Sequence, residues 1–263
     1  MTKIKGKRVW ITGASSGIGE ALANEMAKAG AHLILSARSV NKLEELKASL
    51  PKSSEVEVLP FDLADLTACA DAVESLKNKG LLPDILINNG GISQRSLTKE
   101  TSFQVDKDIM QVNYFSAVYL SKLLMPLVEN KPIHFVAMSS IAGRFGFPLR
   151  SAYSAAKHAL VGFYETLALE HWNTDLKVTI VFPGRVQTNI SKYALTGDGK
   201  LHGNMDKGQA DGISATACAL DIIKGIEKNK LWVYSGAKEL LLWKFYKFWP
   251  SLYIKIARKV SAH

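Results

Sequence analysis

Residues 8–19 read RVWITGASSGIG, an apolar run that leads directly into a loop with three glycines, Gly13, Gly17 and Gly19. Apolar residues then recur at helical spacing over 18–29, and another glycine follows them, as at the end of a helix. The N–H groups at a helix N-terminus favour an anion, and glycines let the backbone approach that anion closely. The stretch therefore predicts a strand, a pyrophosphate-binding loop and a helix, although a plain glycine turn would show the same pattern.

The same alternation of short apolar runs and longer amphipathic stretches continues along the chain. Fully apolar strands separated by helices indicate a parallel sheet that is covered on both faces. We therefore predict an α/β fold, a single-domain Rossmann-type doubly wound parallel sheet of seven strands with a C-terminal helical extension. The predicted strands are 8–12, 31–36, 56–59, 85–87, 133–138, 178–181 and 231–234, and the predicted helices are 18–29, 40–50, 66–79, 102–130, 151–172 and 210–227.

No linker or internal repeat divides the sequence. Residues 1–235 are therefore predicted to form the dinucleotide-binding and catalytic domain, with 236–263 as an aromatic and basic helical extension of the same domain. Residues 184–208 are the longest stretch without periodicity, and they are rich in glycine. A loop of this length at the carboxyl side of a strand predicts a substrate lid.

The composition is that of a globular protein, since 47% of the 263 residues are hydrophobic and 22% are charged. Cys69 and Cys218 are the two cysteines, and neither lies in a Cys-x-x-Cys pair, so both are expected to be reduced core thiols of a cytoplasmic protein. No segment approaches the ~18 uncharged apolar residues of a membrane span, and the N-terminus does not resemble a signal peptide. The sequence therefore predicts a protein that is neither secreted nor membrane-spanning, while contact with a membrane surface stays open.

The formal net charge of +9 is concentrated at the C-terminal end. Residues 224–263 hold nine Lys or Arg against two Glu, so the rest of the chain is close to neutral. A nucleic-acid partner is therefore not expected for the body of the protein.

The end of the second predicted strand indicates which nicotinamide nucleotide would be preferred. Enzymes that bind NAD place an acidic residue there, whereas an Arg accommodates the extra phosphate of NADP. The sequence at 36–39 is Ser-Ala-Arg-Ser, so Arg38 is present and a carboxylate is not. A guanidinium can bind a phosphate with two hydrogen bonds, which favours NADP(H). The alternative is that Arg38 is an exposed residue at the start of a helix.

A tyrosine and a lysine, Tyr153 and Lys157, are four residues apart and share one face of the predicted helix 151–172. A fixed cation near a phenol favours its phenolate form, so the pair is suited to general acid and base catalysis. A second pair with this spacing, Tyr234 and Lys238, leads into a glycine instead of a helix. Ser140 lies thirteen residues before Tyr153, at the end of the fifth predicted strand, and this favours the first pair.

Taken together, these motifs resemble the short-chain dehydrogenase/reductase family over residues 6 to about 235. TGASSGIG at 12–19 is similar to the family's cofactor loop, and NNGG at 88–91 resembles its Asn-Asn-Ala-Gly stretch with Gly90 in place of the usual Ala. The other matching positions are Asp62 and Leu63, Asn113, the set Ser140, Tyr153 and Lys157, and Pro183, Gly184, Val186 and Thr188.

The resemblance implies a role for each catalytic residue. Tyr153 would exchange a proton with the substrate oxygen, and Ser140 would hydrogen-bond that oxygen. Lys157 would hold the nicotinamide ribose and stabilise the phenolate, while Asn113 would anchor a water that leads from Lys157 to solvent. Without the resemblance, Asn113 could be a helix-surface amide, Ser140 a strand-end cap and Asp62 the N-terminal carboxylate of the next helix. The residues expected to bind the cofactor are Gly13, Ser15, Ser16, Gly17, Ile18, Gly19, Arg38, Asp62, Leu63, Asn89, Gly90, Tyr153, Lys157, Pro183, Gly184, Val186 and Thr188.

Residues 94–96, Gln-Arg-Ser, resemble a branch of the family that includes membrane-associated ketone, steroid and retinoid reductases. Phe145, Phe147 and the lid residue Tyr193 could line an apolar pocket, or they could be ordinary core residues. Arg185 could select an anionic group.

The C-terminal extension combines aromatic and basic residues. Six of the eleven residues 243–253 are aromatic, and Lys244, Lys247, Lys255, Arg258 and Lys259 lie among or after them. The pattern predicts a helix to Trp249, a break at Pro250 and a second helix. Three interpretations stay open: packing on the body or on a partner subunit, contact with an anionic membrane surface through 237–260, and a flap over an apolar substrate pocket.

The sequence thus predicts an NADP(H)-dependent oxidoreductase of small, apolar carbonyl or secondary-alcohol substrates, without a metal. The resemblance implies a homodimer or homotetramer, because the family commonly pairs subunits through helices near 106–130 and 151–172. Two alternatives remain: a non-catalytic NADP-binding regulator, and an interaction protein that its basic tail recruits to a membrane surface or a nucleic acid.

Overall fold

The structure is a computed structural model, and it describes residues 2–129 and 131–257. Seven strands in this part of the chain form one parallel sheet in the order β3-β2-β1-β4-β5-β6-β7. The order reverses between β1 and β4, and this is where open α/β sheets bind their ligands. The strands are β1 Arg8–Thr12, β2 His32–Ser36, β3 Val56–Val58, β4 Ile85–Asn88, β5 Ile133–Met138, β6 Leu176–Pro183 and β7 Trp232–Ser235.

Helices cover the sheet on both faces, which confirms the predicted Rossmann-type fold. They are α1 Gly17–Lys28, α2 Val40–Ser49, α3 Leu66–Asn78, α4 Phe103–Met110, α5 Ser116–Leu124, α6 Ser151–Glu170, α7 Lys207–Ala210, α8 Ala215–Glu227, α9 Ala237–Phe248 and α10 Pro250–Ala257. No helix in the described ranges has the length and apolar character that crossing a bilayer requires.

The two faces of the sheet belong to two separate hydrophobic cores because strand residues alternate in direction. In β1, Val9 and Ile11 join the core beneath α1, α2 and α8. Trp10 points to the opposite core, beneath α3, α5 and α6. Its indole Nε1 donates a hydrogen bond to Ser36 Oγ at 2.8 Å, so the buried polar atom is paired.

The predicted helix 102–130 is interrupted, and this corrects the sequence-based expectation. Residues Gln111–Phe115 form a turn of π-helix between α4 and α5, and Met125–Leu127 form a 3₁₀ turn. Periodicity did not reveal the interruption, because a single wider turn leaves the helical pattern on each side of it intact. The helix predicted at 210–227 begins at Ala215 in the structure.

The C-terminal extension forms two helices that meet at Pro250, as the sequence predicts. Residues 258–263, with Arg258 and Lys259, lie outside the described residues. The division of the chain at 235 and 236 stays a prediction.

Candidate active site

A cavity of about 1380 Å³ lies along the carboxyl ends of the strands. This volume exceeds that of most small-ligand pockets, so it can hold a dinucleotide and a substrate together. Two of the predicted site residues, Gly19 and Asn113, do not line it. The predicted residues that do line it are Gly13, Ser15, Ser16, Gly17, Ile18, Arg38, Asp62, Leu63, Asn89, Gly90, Ser140, Tyr153, Lys157, Pro183, Gly184, Val186 and Thr188.

The glycine loop forms a tight cradle between β1 and α1. Gly13 and Gly17 have positive φ angles of 64° and 60°, which favour glycine. A Cβ at Gly13 would lie 2.7 Å from Gly90 Cα, and one at Gly19 would meet the carbonyl oxygen of Gly13. Gly19 therefore closes the turn from behind instead of facing the cavity. Ser16 precedes α1 without a side-chain capping bond, so the helix N-terminus faces the cavity uncapped.

Residues after β4 hold this cradle in place. Asn89 donates from Nδ2 to the carbonyl oxygens of Thr12 at 2.9 Å and Gly13 at 3.2 Å. Thr12 Oγ1 in turn accepts the backbone N–H groups of Asn89 and Gly90. Asn89 thus acts mainly by positioning the loop, while a Cβ at Gly90 would meet the end of the Leu63 side chain.

Arg38 stands at the carboxyl end of β2 with its side chain 75% exposed. Its Nη1 lies 4.0 Å from Asp62 Oδ2, a loose contact that leaves the guanidinium accessible. The Asp62 carboxylate accepts the N–H of Ala64 at 3.0 Å. Ser39 and Lys42 also line this end of the cavity, and the sequence interpretation missed both. The sequence could have indicated Lys42, because it lies in the first turn of the helix that directly follows Arg38 and Ser39.

Lys157 is a buried cation directly below Tyr153. Its Nζ donates to the Met138 carbonyl at 2.7 Å and lies 5.7 Å from the centroid of the Tyr153 ring. Burial lowers the pKa of Lys157 to about 8. Tyr153 is half-buried and lines the cavity. The helix α6 therefore brings the predicted phenol and ammonium together in the way that their spacing indicated.

Two serines at the end of β5 make different contacts, and the first of them fixes α6 against the sheet. Ser139 Oγ donates to the carbonyl oxygen of Lys157 at 2.9 Å. Ser140 Oγ accepts the N–H of Ala142 at 3.2 Å and so caps the short 3₁₀ turn Ile141–Gly143. Accepting this bond leaves the Ser140 hydroxyl proton available to a ligand in the cavity. Ser140 is thus both the cap and a cavity-lining donor.

Asn113 is buried in the π-helical turn and is bound to one residue of the β4 loop. Its Oδ1 accepts the N–H of Ile92 and its Nδ2 donates to the Ile92 carbonyl, both at 2.8 Å. This pair of bonds positions the loop beside Lys157, since a Cβ at Gly91 would lie 2.9 Å from Asn113 Oδ1 and 3.5 Å from Lys157 Nζ. The role of Asn113 in holding a water stays a prediction.

The segment after β6 closes the cavity from the other side. The Gly184 N–H donates to the Ser235 carbonyl at 2.8 Å, which fixes the exit from Pro183. Val186 is buried and pairs with Ile213. The Thr188 methyl carbon faces Gly17, where a Cβ would lie 2.9 Å away. The segment therefore packs against the glycine loop.

A charged cluster that the sequence interpretation did not find attaches the lid to the body. Arg95 donates to Asp206 Oδ2 from Nη2 at 2.6 Å and from Nε at 3.0 Å, and Arg150 donates to the same oxygen at 3.0 Å. Burial raises the pKa of Asp206, but the Arg95 hydrogen bond and the charges of Arg95, Arg150 and His202 outweigh it and hold this pKa below its usual value. Only the fold brings these residues together, because Asp206 is more than a hundred residues from Arg95.

The C-terminal helices pack on the body and also line the cavity. Phe145 is buried in a cluster with Tyr246 and Tyr253, so it is a core residue. Phe147 and Tyr193 line the cavity, as do Leu242, Phe245, Tyr253 and Ile256 of the tail. The tail thus packs on the body and lines the pocket at the same time, so two of its three interpretations rest on the same contacts.

The cavity fits a nicotinamide nucleotide. Added Cβ atoms would fill the glycine cradle, and the α1 N-terminus supplies uncapped N–H groups for a pyrophosphate. The donor set at the other end, Ser140, Tyr153 and Lys157, suits a ribose and a carbonyl oxygen. Among the described residues, no group of three His, Cys, Asp or Glu side chains could hold a metal ion.

Comparison with known proteins agrees with this architecture. Residues 7–198 match the family described as short chain dehydrogenase. Over 229 residues, the chain is 44% identical to the mouse protein named dehydrogenase/reductase SDR family member 7B, covering 84% of this chain and 71% of that protein.

Two solved structures have the same fold at 22% sequence identity. One is a short chain dehydrogenase/reductase from Burkholderia phymatum in complex with NAD, with a TM-score of 0.82 over 96% of both chains. The other is an alcohol dehydrogenase from Thermococcus sibiricus complexed with 5-hydroxy-NADP, with a TM-score of 0.75 over 88% of this chain and 97% of that one.

Proposed function

This chain belongs to the short chain dehydrogenase family, and we propose that it transfers a hydride between NADP(H) and a carbonyl or secondary-alcohol substrate. The fold of this family binds a nicotinamide nucleotide. Beyond this, we propose that the nucleotide is NADP(H), that the substrate is a carbonyl or secondary alcohol, and that the residues act as described below. The observation that carries it is the meeting of Tyr153, Ser140 and buried Lys157 in one cavity with the glycine cradle.

The nucleotide supplies or accepts the hydride at the substrate carbon. In the direction of reduction, the Tyr153 hydroxyl donates its proton to the substrate oxygen as negative charge develops there. The Ser140 hydroxyl donates a hydrogen bond to the same oxygen, which stabilises that charge. The Lys157 ammonium, fixed by the Met138 carbonyl, favours the phenolate that remains and offers its other protons to ribose hydroxyls. In oxidation, each proton moves in the opposite direction.

Three residues support NADP(H) over NAD(H). Arg38 is accessible at the end of β2, and Ser39 and Lys42 line the same part of the cavity. Ser36 at that strand end is buried and accepts the indole N–H of Trp10, so no carboxylate is present there to hold ribose hydroxyls. An exposed guanidinium, followed by an ammonium in the first turn of the next helix, is a favourable site for a phosphate monoester.

The cavity walls support an apolar substrate. Apolar side chains from the lid, the β5 loop and the tail line the cavity, together with charged residues such as Arg95, Arg150 and Asp206. Burying apolar ligand surface against the apolar side chains contributes ~25 cal/mol per Å². The apolar side chains are Ile141, Phe147, Leu149, Tyr193, Leu195, Leu201, Leu242, Phe245, Tyr253 and Ile256.

Two further features concern the compartment and the oligomeric state of the enzyme. Buried Cys69 and Cys218 are free thiols, which supports a reducing compartment such as the cytoplasm. Leu169 and Trp172 at the end of α6 are exposed by 74% and 79%, which supports pairing of two subunits through this region into a homodimer or a homotetramer.

The test is turnover of a panel of aliphatic and aromatic ketones with NADPH by the Tyr153→Phe variant. Loss of the proton donor should reduce turnover about a thousandfold. Binding of NADPH, followed by quenching of tryptophan fluorescence, should change little. Unchanged turnover of the variant refutes the mechanism, and an inactive wild type that binds NADPH favours the non-catalytic regulator.

The chain offers a matched control for this substitution. Tyr234 is the first residue of the second Tyr-x-x-x-Lys pair, but its ring stacks between Phe182 and Trp243. Tyr234→Phe removes the phenolic hydroxyl of a tyrosine that does not line the cavity, so turnover should stay unchanged.

A further inference from the structure

The outer surface of the C-terminal helices is unusually apolar. Large apolar side chains on α9 and α10 remain exposed although the helices pack on the body. Large exposed apolar side chains that are concentrated on two consecutive helices indicate a binding partner. These residues are Leu241 at 70%, Phe248 at 67%, Trp249 at 58%, Leu252 at 47%, Ile254 at 46% and Ile256 at 49% exposed.

From residue 240 to residue 256, the charged side chains of this surface have one sign. Lys244, Lys247 and Lys255 are exposed on the same two helices, and residues 240–256 contain no Asp or Glu. Lys247 Nζ lies 5.7 Å and 5.9 Å from the ring centroids of Trp243 and Phe248, so the ammonium sits above aromatic rings. A surface with this composition favours a partner that is both apolar and anionic.

The same helices form one wall of the cavity. Phe245 and Tyr253 face inward, while Leu242 and Ile256 line the cavity and are also 36% and 49% exposed. Leu201 of the lid likewise lines the cavity and is 62% exposed. Leu242, Ile256 and Leu201 therefore form an apolar rim that joins the cavity to the outer surface of the tail.

We propose that α9 and α10 dock on an anionic membrane surface, with the rim of the cavity facing the lipid. The apolar side chains would enter the interface, and the three lysines would reach the headgroups. An apolar carbonyl or alcohol could then pass from the bilayer to Tyr153 without crossing water. This last step rests on the proposed function, whereas the docking itself does not.

A second copy of this chain fits the surface less well. An isologous contact places the same patch of each copy face to face. Six lysines would then meet without an acidic residue from 240–256 to pair with them. An anionic membrane instead supplies negative charge over the whole surface.

The first experiment is flotation of the full chain with vesicles of phosphatidylcholine that contain phosphatidylserine. Binding should require phosphatidylserine and weaken as salt is added. The double variant Phe248→Ser and Leu252→Ser, neither of which lines the cavity, should bind about tenfold more weakly. The triple variant Lys244→Gln, Lys247→Gln and Lys255→Gln should bind on the order of a hundredfold more weakly.

Phe103→Ser is the matched control, because Phe103 on α4 is 75% exposed but lies in a different part of the fold. It should float like the wild type. Absence of flotation, or equal flotation by the wild type and the double variant, overturns the docking proposal. Loss of self-association in the double variant without any vesicle binding would identify a contact between copies instead, and it would also overturn the proposal.

The orientation of the cavity rim is tested with an environment-sensitive dye. Burial raises the pKa of Cys69 to about 12 and that of Cys218 to about 11, so both native thiols should react slowly. A dye on Leu201→Cys should shift to the blue with anionic vesicles, whereas a dye on Lys28→Cys, an exposed position in the last turn of α1, should not. A shift at position 28 alone would show that the rim faces away from the lipid.

The two proposals fail in different ways. Binding of NADPH in solution depends on the glycine cradle and is measured without vesicles. If NADPH binds and vesicles do not, the docking fails while the proposed function stands. If vesicles bind and NADPH does not, the tail is an anchor for a chain with another function.

Discussion

At the amino ends of the strands, Asp84 and His134 are paired with neighbouring groups of the protein, whereas at the carboxyl ends Lys157 and Arg38 line a cavity. Asp84 accepts the Arg8 N–H at 2.8 Å and the Lys7 ammonium at 3.1 Å. His134 Nε2 lies 2.8 Å from Thr179 Oγ1, which donates to the Lys230 carbonyl. Such paired groups rigidify a fold without being available to a ligand.

At the carboxyl ends, Arg95 and Arg150 are paired with Asp206, but two other cations have fewer partners. Lys157 is buried with one carbonyl as its hydrogen-bond acceptor, and the exposed Arg38 guanidinium is only loosely paired. The buried charge of Lys157 costs stability, and both cations gain partners when a ligand binds. Charged and polar residues at the amino ends thus stabilise the fold, whereas Lys157 and Arg38 at the carboxyl ends are available to a ligand. Substitutions at both ends can test this difference.

The largest effect is expected at Lys157. Below pH 8 the folded protein holds a buried ammonium whose lowered pKa corresponds to a penalty of about 3 kcal/mol relative to an ordinary lysine. Lys157→Met removes this charge and keeps most of the side-chain volume, while it leaves the Met138 carbonyl unpaired. Turnover should fall at least a hundredfold, and the free energy of unfolding should stay constant or rise by about 1 kcal/mol.

Urea denaturation at neutral pH and steady-state turnover measure the two quantities separately. The folded-state pKa of Lys157 is lowered, so the stability of the wild type should rise as the pH increases above 8. The variant should lack this rise. A variant that is inactive and also several kcal/mol less stable would show that Lys157 stabilises the fold, as the paired groups at the amino ends do.

The amino ends should respond to acid instead. Burial, with a smaller effect of Lys177, lowers the pKa of His134 to about 4. The unfolded chain takes up a proton as the pH falls through ~6.5, but the folded chain does so only near 4. Stability should therefore decrease by about 3 kcal/mol across this window.

The substitution His134→Gln removes this titration, so the variant should lose about 3 kcal/mol less stability than the wild type as the pH falls from ~6.5 to 4. Turnover near neutral pH should not change, because His134 is distant from the cavity lining. His158→Gln on α6 is the control, and it should leave the acid profile of the wild type intact. The interpretation fails if His134→Gln keeps the full acid sensitivity.

The comparison of the two ends also explains what the sequence could reveal. Short apolar runs predicted all seven strands, because burial on both faces leaves a simple pattern. The glycine loop and the Tyr153 to Lys157 spacing were visible because each lies within one local segment. Pairings between distant segments, such as Arg95 with Asp206 and Asn113 with Ile92, depend on the fold and left no local pattern.

Gly19 illustrates the limit within a correct motif. Its position in the loop predicted contact with the cofactor, but its missing Cβ makes room for the carbonyl oxygen of Gly13. Spacing indicates that a glycine is required, whereas only the structure shows which atom it accommodates.

The smallest effect is expected at Arg38. The amino ends of the strands provide a control residue of equal charge, Lys7. Arg38→Ala should weaken NADPH binding about tenfold, since an exposed charge-assisted hydrogen bond contributes ~1.5 kcal/mol. NADH lacks the phosphate, so its binding should change little. Lys7→Ala removes one positive charge from the pair with Asp84 and should affect neither nucleotide. Fluorescence titrations of both variants with both nucleotides distinguish a specific phosphate contact from a general effect of net charge. If Arg38→Ala weakens NADPH and NADH equally, Arg38 does not select the phosphate, and an NAD(H)-dependent reaction becomes the better proposal.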